Sequence, residues 1–79
     1  MTRYFLHYHD GADRLIDPDG KLFADLEAAR AEAIKAAREI LANEVRTGSL
    51  NLAARIDIED DAGRILATLD FHQAIEVIR

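Results

Sequence analysis

The chain contains no cysteine and no tryptophan, and only one proline. Without thiols there can be neither disulfides nor thiolate metal sites, and a Cys-free chain suits a reducing compartment. No apolar run approaches the roughly 20 residues that span a bilayer. No basic segment leads into an apolar core near Met1, so no secretory leader is expected. These absences together predict a soluble, cytoplasmic protein with no membrane partner. Bases are also scarce: 10 Lys and Arg against 15 Asp and Glu give a net charge of −5. Nucleic-acid binding needs a basic face to neutralise phosphates, and none is visible, so nucleic acid is not an expected partner. The four glycines all fit turn or cap positions, which leaves no glycine-rich phosphate loop.

Seventy-nine residues make one domain, residues 1–79. A chain of this size buries only about 60% of its unfolded surface. Small domains compensate with disulfides, metals or partner chains. With disulfides and thiolate metal sites excluded, oligomerisation or efficient packing is the expected source of stability, and a homodimer is the expected partner for any uncovered helix end.

The strongest positive signal is the stretch Asp25 to Gly48, DLEAARAEAIKAAREILANEVRTG. Asp25 is suited to accept from the unpaired N–H groups of a first helical turn. Gly48 is suited to a left-handed C-terminal cap. Strong helix formers fill the interval, with no Pro or Gly inside. Positions 26, 29, 33, 37, 40 and 41 form an apolar stripe, widened by Ile34 and Val45, with Glu32, Lys35, Glu39 and Arg46 opposite. Within residues 26–47 four acids (Glu27, Glu32, Glu39, Glu44) balance four bases (Arg30, Lys35, Arg38, Arg46). The acidity of the protein therefore lies in its turns and strands.

Residues 3–9, RYFLHYH, read as a strand with Tyr4, Leu6 and Tyr8 on a core face and Phe5, His7 and His9 on a wetter one. Asp10-Gly11-Ala12-Asp13 signals a turn into a second strand over 14–16, and Asp17-Pro18-Asp19-Gly20 a second tight turn. Leu22 and Phe23 either lead into the helix or extend a short strand. After the helix, ARIDIE (54–59) alternates with Ile56 and Ile58 inward and Arg55, Asp57 and Glu59 outward. Asp60-Asp61-Ala62-Gly63 reads as a hairpin turn, and the return strand puts Ile65, Ala67 and Leu69 on one side. Asp70 with Gln73 resembles a capping box and predicts a short helix over 71–79, a strand being the alternative.

The predicted fold is thus α+β: two β-hairpins form a four-stranded antiparallel sheet on one long α-helix, in the order β-β-α-β-β with a short C-terminal helix. At ~1.5 Å per residue the helix is about 33 Å long, against ~20 Å for six-residue strands. The excess predicts that Ile40, Leu41 and Val45 overhang the sheet and need cover from a partner.

Candidate chemistry is sparse. His7 and His9 at i,i+2 point to the same side of a strand and could ligate a metal if a third ligand arrived from His72, Asp10 or Asp13. The plainer reading is a polar strand face beside an acidic turn. The DPDGKLFADLE stretch lacks both end ligands of a calcium loop, with Leu15 and Leu26 where oxygens are needed. Asp57, Glu59, Asp60 and Asp61 could act as paired carboxylates, but solvated strand-edge charges that discourage aggregation explain them. Ser49, Thr47, Thr68, Thr2 and the tyrosines sit in no recognisable nucleophile motif. No enzyme and no cofactor are expected.

The opening RYFLHYHDG, the central DLEAARAEAIKAAREIL and the closing IDIEDDAGRILATLDF together resemble a family of short proteins of unknown function from rhizobial and related alphaproteobacteria. The resemblance covers nearly the whole chain. It implies this strand, helix and hairpin organisation and carries no catalytic residues. The hairpin leading into a DLEEA-like helix is also similar to HicB-type antitoxins, but this chain lacks their ribbon-helix-helix or other basic DNA-binding segment. The expected role is a protein-interaction or regulatory module, through the helix end (Ile40, Leu41, Val45) or the open sheet face at Phe5. A metal- or small-ligand-binding domain at His7 and His9 is the alternative, and an antitoxin-like regulator a lower one.

Overall fold

Alternation in the N-terminal segment produces β1 (Thr2–His9), the strand on which the sheet is built. A computed structural model describes residues 1–78. The chain continues through β2 (Arg14–Leu15), β3 (Lys21–Phe23), α1 (Leu26–Arg46), β4 (Arg55–Glu59) and β5 (Ile65–Asp70), and ends in a 3-10 turn (Phe71–Gln73). All pairings are antiparallel, in the order β2-β1-β4-β5, and β3 also lies on β1. The fold is α+β, as the sequence pattern predicts. The sheet has five strands rather than four, because the chain from Arg14 to Phe23 touches β1 twice.

That double contact has a register cause. Tyr8 pairs with Leu15, and Tyr4 pairs with Lys21. Residues 5–7 of β1 therefore face a longer excursion, residues 16–20, which cannot stay in the ladder. It bulges out as a strap over β1, and Ile16 leaves its predicted strand.

The helix ends behave as their caps require. The Asp25 carboxylate accepts the Ala28 N–H at 2.9 Å. At the other end Gly48 N–H bonds the Val45 carbonyl at 3.1 Å and Ser49 N–H bonds the Glu44 carbonyl at 3.1 Å. That is the paired bonding of a Schellman motif, with Gly48 left-handed at φ +89°. The buried seam is Ala29, Ala33, Ala37 and Leu41, spaced by four. Three methyl-sized residues let the helix backbone close onto Ile56, Ile58 and Leu69 of the sheet, and Tyr4, Phe23 and Phe71 complete the core. The stripe is thus narrower than the sequence suggests: Leu26, Ile34 and Ile40 flank it half-buried.

The predicted overhang fails at Leu41. Leu41 is 4% exposed, in one buried cluster with Ala54, Phe71 and Ala74, and Leu52 packs against that cluster. The chain supplies this cover itself. Asn51 N–H bonds Glu44 Oε1 at 3.0 Å, and Arg38 Nε donates to the Ala74 carbonyl at 2.7 Å. Only Val45 stays open, at 61% exposure.

Two further expectations are corrected. The C-terminal helix shrinks to the 3-10 turn: Asp70 N–H does bond Gln73 Oε1 at 3.0 Å, but Arg38 takes the Ala74 carbonyl that a longer helix would use. The β-branched Ile75, Val77 and Ile78 add little helical drive. Arg79, the end of that predicted helix, lies outside the described residues. In β5, a register shift between Ile58 and Glu59 leaves Leu66 unpaired and sets Ile65 opposite Glu59. Ile65 therefore joins the face away from the helix, whereas Ala67 and Leu69 keep their predicted core side.

Candidate functional site

The sheet face away from α1 holds the chain's concentrated chemistry. Cross-strand register puts His7 opposite Asp57, Phe5 opposite Glu59, and His9 opposite Arg55. Alternation thus brings His7, His9, Asp57 and Glu59 to one side, as the sequence implies. The environment is different from the expected wet face. Asp57 is 4% exposed and His7 8%.

The strap explains the burial of His7. Asp17 N–H donates to His7 Nδ1 at 3.0 Å. Nδ1 is therefore unprotonated, and the ring proton of the neutral imidazole sits on Nε2. That atom lies 3.7 Å from Glu59 Oε1. The Asp17 carboxylate takes the Leu6 N–H at 3.3 Å and the Gly20 N–H at 3.0 Å. One side chain thereby supplies acceptors where β1 has lost its ladder partner. Arg3 Nη1 bonds the Asp19 carbonyl at 2.7 Å, and the Phe5 ring stacks on His7 with centroids 6.3 Å apart. Gly20 sits so close that an added Cβ would lie 2.8 Å from the Tyr4 carbonyl and 2.9 Å from Phe5 Cε2.

Asp57 is the second centre. Its Oδ1 accepts from Thr68 Oγ1 at 3.0 Å and from Arg55 Nε at 3.3 Å. Its Oδ2 lies 3.2 Å from His9 Nε2. That contact is within ion-pair range but not aligned as a hydrogen bond, so His9 Nε2 is buried without a directed partner. Paired with Thr68 and Arg55, the buried carboxylate is tolerable; stripped of them it would be costly.

The acidic cluster therefore divides. Asp57 and Glu59 belong to the sheet face, while Asp60 organises the hairpin turn through Ala62 N–H and Arg64 N–H, both at 2.9 Å, and Arg64 Nε at 2.9 Å. The Arg64 backbone N–H is the main cause that holds the Asp60 carboxyl below the usual range, with the Arg64 side chain and Ala62 N–H assisting against some desolvation. On the helix side, burial, then Asp10, Glu44 and Asp13, push the Tyr8 hydroxyl above its ordinary value.

The predicted site residues are dispersed. His7 and His9 share a face, but each addresses a different carboxylate. Among the described residues no three His, Asp or Glu side chains gather as metal ligands, and His72 is exposed on the 3-10 turn. Phe5 is half-buried against His7, Ile40 is half-buried, Leu41 is in the core and Val45 is exposed. Sequence reasoning missed Asp17 and Thr68. The Asp-Pro-Asp-Gly turn singled out Asp17 as a turn former, but nothing local marked its reach to β1.

A cluster of this kind on a small α+β scaffold defines a class of protein by its fold and not by an activity. Residues 3–72 match the domain of unknown function DUF6894, and the chain belongs to that family. No curated protein and no solved structure matches the chain. Among the described residues, no helix is long and apolar enough to cross a membrane.

Proposed function

We propose that the protein is a non-catalytic interaction module that associates through the end of the molecule carrying Val45, first with a second copy of itself. One contrast carries this reading. The carboxylates of Asp57 and Asp17 and the His7 imidazole are engaged with neighbouring side chains or the backbone, whereas large apolar side chains stand free. Asp57, Asp17 and His7 Nδ1 are spoken for inside the fold. Leu15, Val45 and Leu50 are 69%, 61% and 46% exposed. Leu15 pairs with Tyr8, whose hydroxyl feels the charge of Glu44. Leu15 and Val45 therefore lie toward the same end of the molecule. Large apolar side chains exposed toward one end of a small domain suit an interaction site.

Amide spectra of the isotopically labelled chain from micromolar to millimolar concentration test this. Shifts confined to residues around Leu15, Val45 and Leu50, with the amides of His7, Asp17 and Asp57 static, are expected. Shifts centred on the polar sheet face, or none anywhere, contradict it.

A further inference from the structure

The chain holds two Asp-Gly junctions inside turns, Asp10–Gly11 and Asp19–Gly20, and their environments are opposite. In an Asp-Gly pair the main-chain nitrogen readily reaches the preceding side-chain carbonyl carbon, since glycine has no Cβ to obstruct the approach. The reaction needs the Asp carboxyl to bend back and the following N–H to be free.

At Asp10–Gly11 the nitrogen is open: among the described residues Gly11 N–H has no acceptor. Gly11 is exposed, left-handed at φ +93°, and an added Cβ would meet nothing within 4 Å. The Asp10 carboxyl already curls over its own turn, because Oδ1 accepts the Asp13 N–H at 2.6 Å. At Asp19–Gly20 the nitrogen is committed: Gly20 N–H donates to Asp17 Oδ1 at 3.0 Å. The glycine is wedged against the Tyr4 carbonyl and Phe5, and Arg3 holds the Asp19 carbonyl.

We propose that Asp10 is a site of spontaneous covalent modification, isomerising to isoaspartate in the folded protein, while the strap protects Asp19. The Gly11 nitrogen forms a bond to Asp10 Cγ, its proton and the carboxyl hydroxyl leave as one water, and a succinimide results. One water then reopens the ring. Attack at the main-chain carbonyl leaves Gly11 joined through the former side chain, with the α-carboxyl free and one extra methylene in the backbone. Mass and charge return to their starting values, and no oxidant or co-reactant is needed. The added methylene lies next to the His9–Arg14 pair, the start of the segment that delivers Asp17 to His7.

Trypsin separates the two junctions, because Arg3, Arg14 and Lys21 place Asp10 in the peptide 4–14 and Asp19 in the peptide 15–21. The folded full chain is aged at mildly acidic pH and 37 °C, with a urea-unfolded sample beside it, and both are mapped by liquid chromatography and electron-transfer fragmentation. The expected result is isoaspartate at Asp10 in the folded chain, with Asp19 slower by on the order of tenfold or more, since a locked site reacts only from its opened state. Unfolding should bring the two rates together. Equal rates in the folded chain, a faster Asp19, or no isoaspartate at Asp10 overturns the proposal. An Asp17→Ala variant supplies a further check: freeing the Gly20 nitrogen should raise the Asp19 rate selectively, and an unchanged rate contradicts the assigned protection.

Discussion

Asp17 and His7 bond through the main chain of one and the side chain of the other: the Asp17 N–H donates to His7 Nδ1 at 3.0 Å. The carboxylate of the same Asp17 holds Leu6 and Gly20. Two of these bonds pin the strap to β1 and the third closes the strap on itself, and the pin is what turns an open polar strand face into a partly buried one.

Removing the imidazole tests the pin. His7→Ala leaves the Asp17 N–H without its acceptor and empties the space under Phe5. A loss of about 2–3 kcal/mol is expected in chemical denaturation. Hydrogen exchange should accelerate at Leu6 and Gly20 before it does in α1; uniform acceleration would argue that the strap is not a separate unit.

Asp57 answers a different question. Asp57→Ala unpairs Thr68 Oγ1 and Arg55 Nε and should cost about 2–4 kcal/mol, at the lower end because Arg55 is partly solvated. Asp57→Asn keeps an acceptor for Thr68 and should cost distinctly less. Equal losses would show that charge, not hydrogen bonding, is what the site requires.

Gly20 and Gly63 are both left-handed, at φ +66° and +80°, but only Gly20 is crowded. Gly63→Ala should cost about 1 kcal/mol from the backbone alone. Gly20→Ala adds a clash with the Tyr4 carbonyl and should cost at least about 2 kcal/mol. Thermal melts of the pair measure the difference, and equal melting temperatures would contradict the close approach of the strap.

Acid should loosen the β4–β5 turn. The Asp60 carboxyl is held below its ordinary value of 3.8, so its folded-state bonds stabilise fully above that value. The contribution is lost as pH falls through the lowered folded value. Tyr8, raised above 10.0, acts in the opposite sense and loses its contribution as pH rises through its folded value. The stability difference between the parent chain and Asp60→Asn, followed by denaturation from neutral to acid pH, should shrink on acidification. A constant difference would contradict the role of the carboxylate.

Much of the scaffold was legible because its signals are local. Asp25 and Gly48 bracket the helix through cap chemistry that depends on a few neighbouring residues, and Gly63 closes a hairpin that its own turn specifies. The faces of β1 followed from alternation alone. What escaped was set at a distance. No pattern in residues 16–20 states that they overlie residues 5–7, since that follows from two separate pairings of β1. Leu41 reads as an overhanging residue until residues 50–54 and 71–74 fold back over it. The bulge at Leu66 reverses Ile65 with no proline or glycine inside β5 to announce it. Of the site, the shared side of His7 and His9 was visible, whereas their burial and their carboxylate partners required the strap and β4.

We propose that this chain works by association through its apolar end. Sedimentation equilibrium of the parent chain and of Val45→Asp, from micromolar to millimolar, tests it most directly. Val45 lies outside the core cluster, so the variant should stay folded, its dilute melting temperature lowered only by the roughly 0.3–1 kcal/mol that an acid costs in the last helical turn. A reversible dimer is expected for the parent and a monomer for Val45→Asp across the range. A parent chain that stays monomeric at millimolar concentration, or a dimer that Val45→Asp leaves intact, would contradict it.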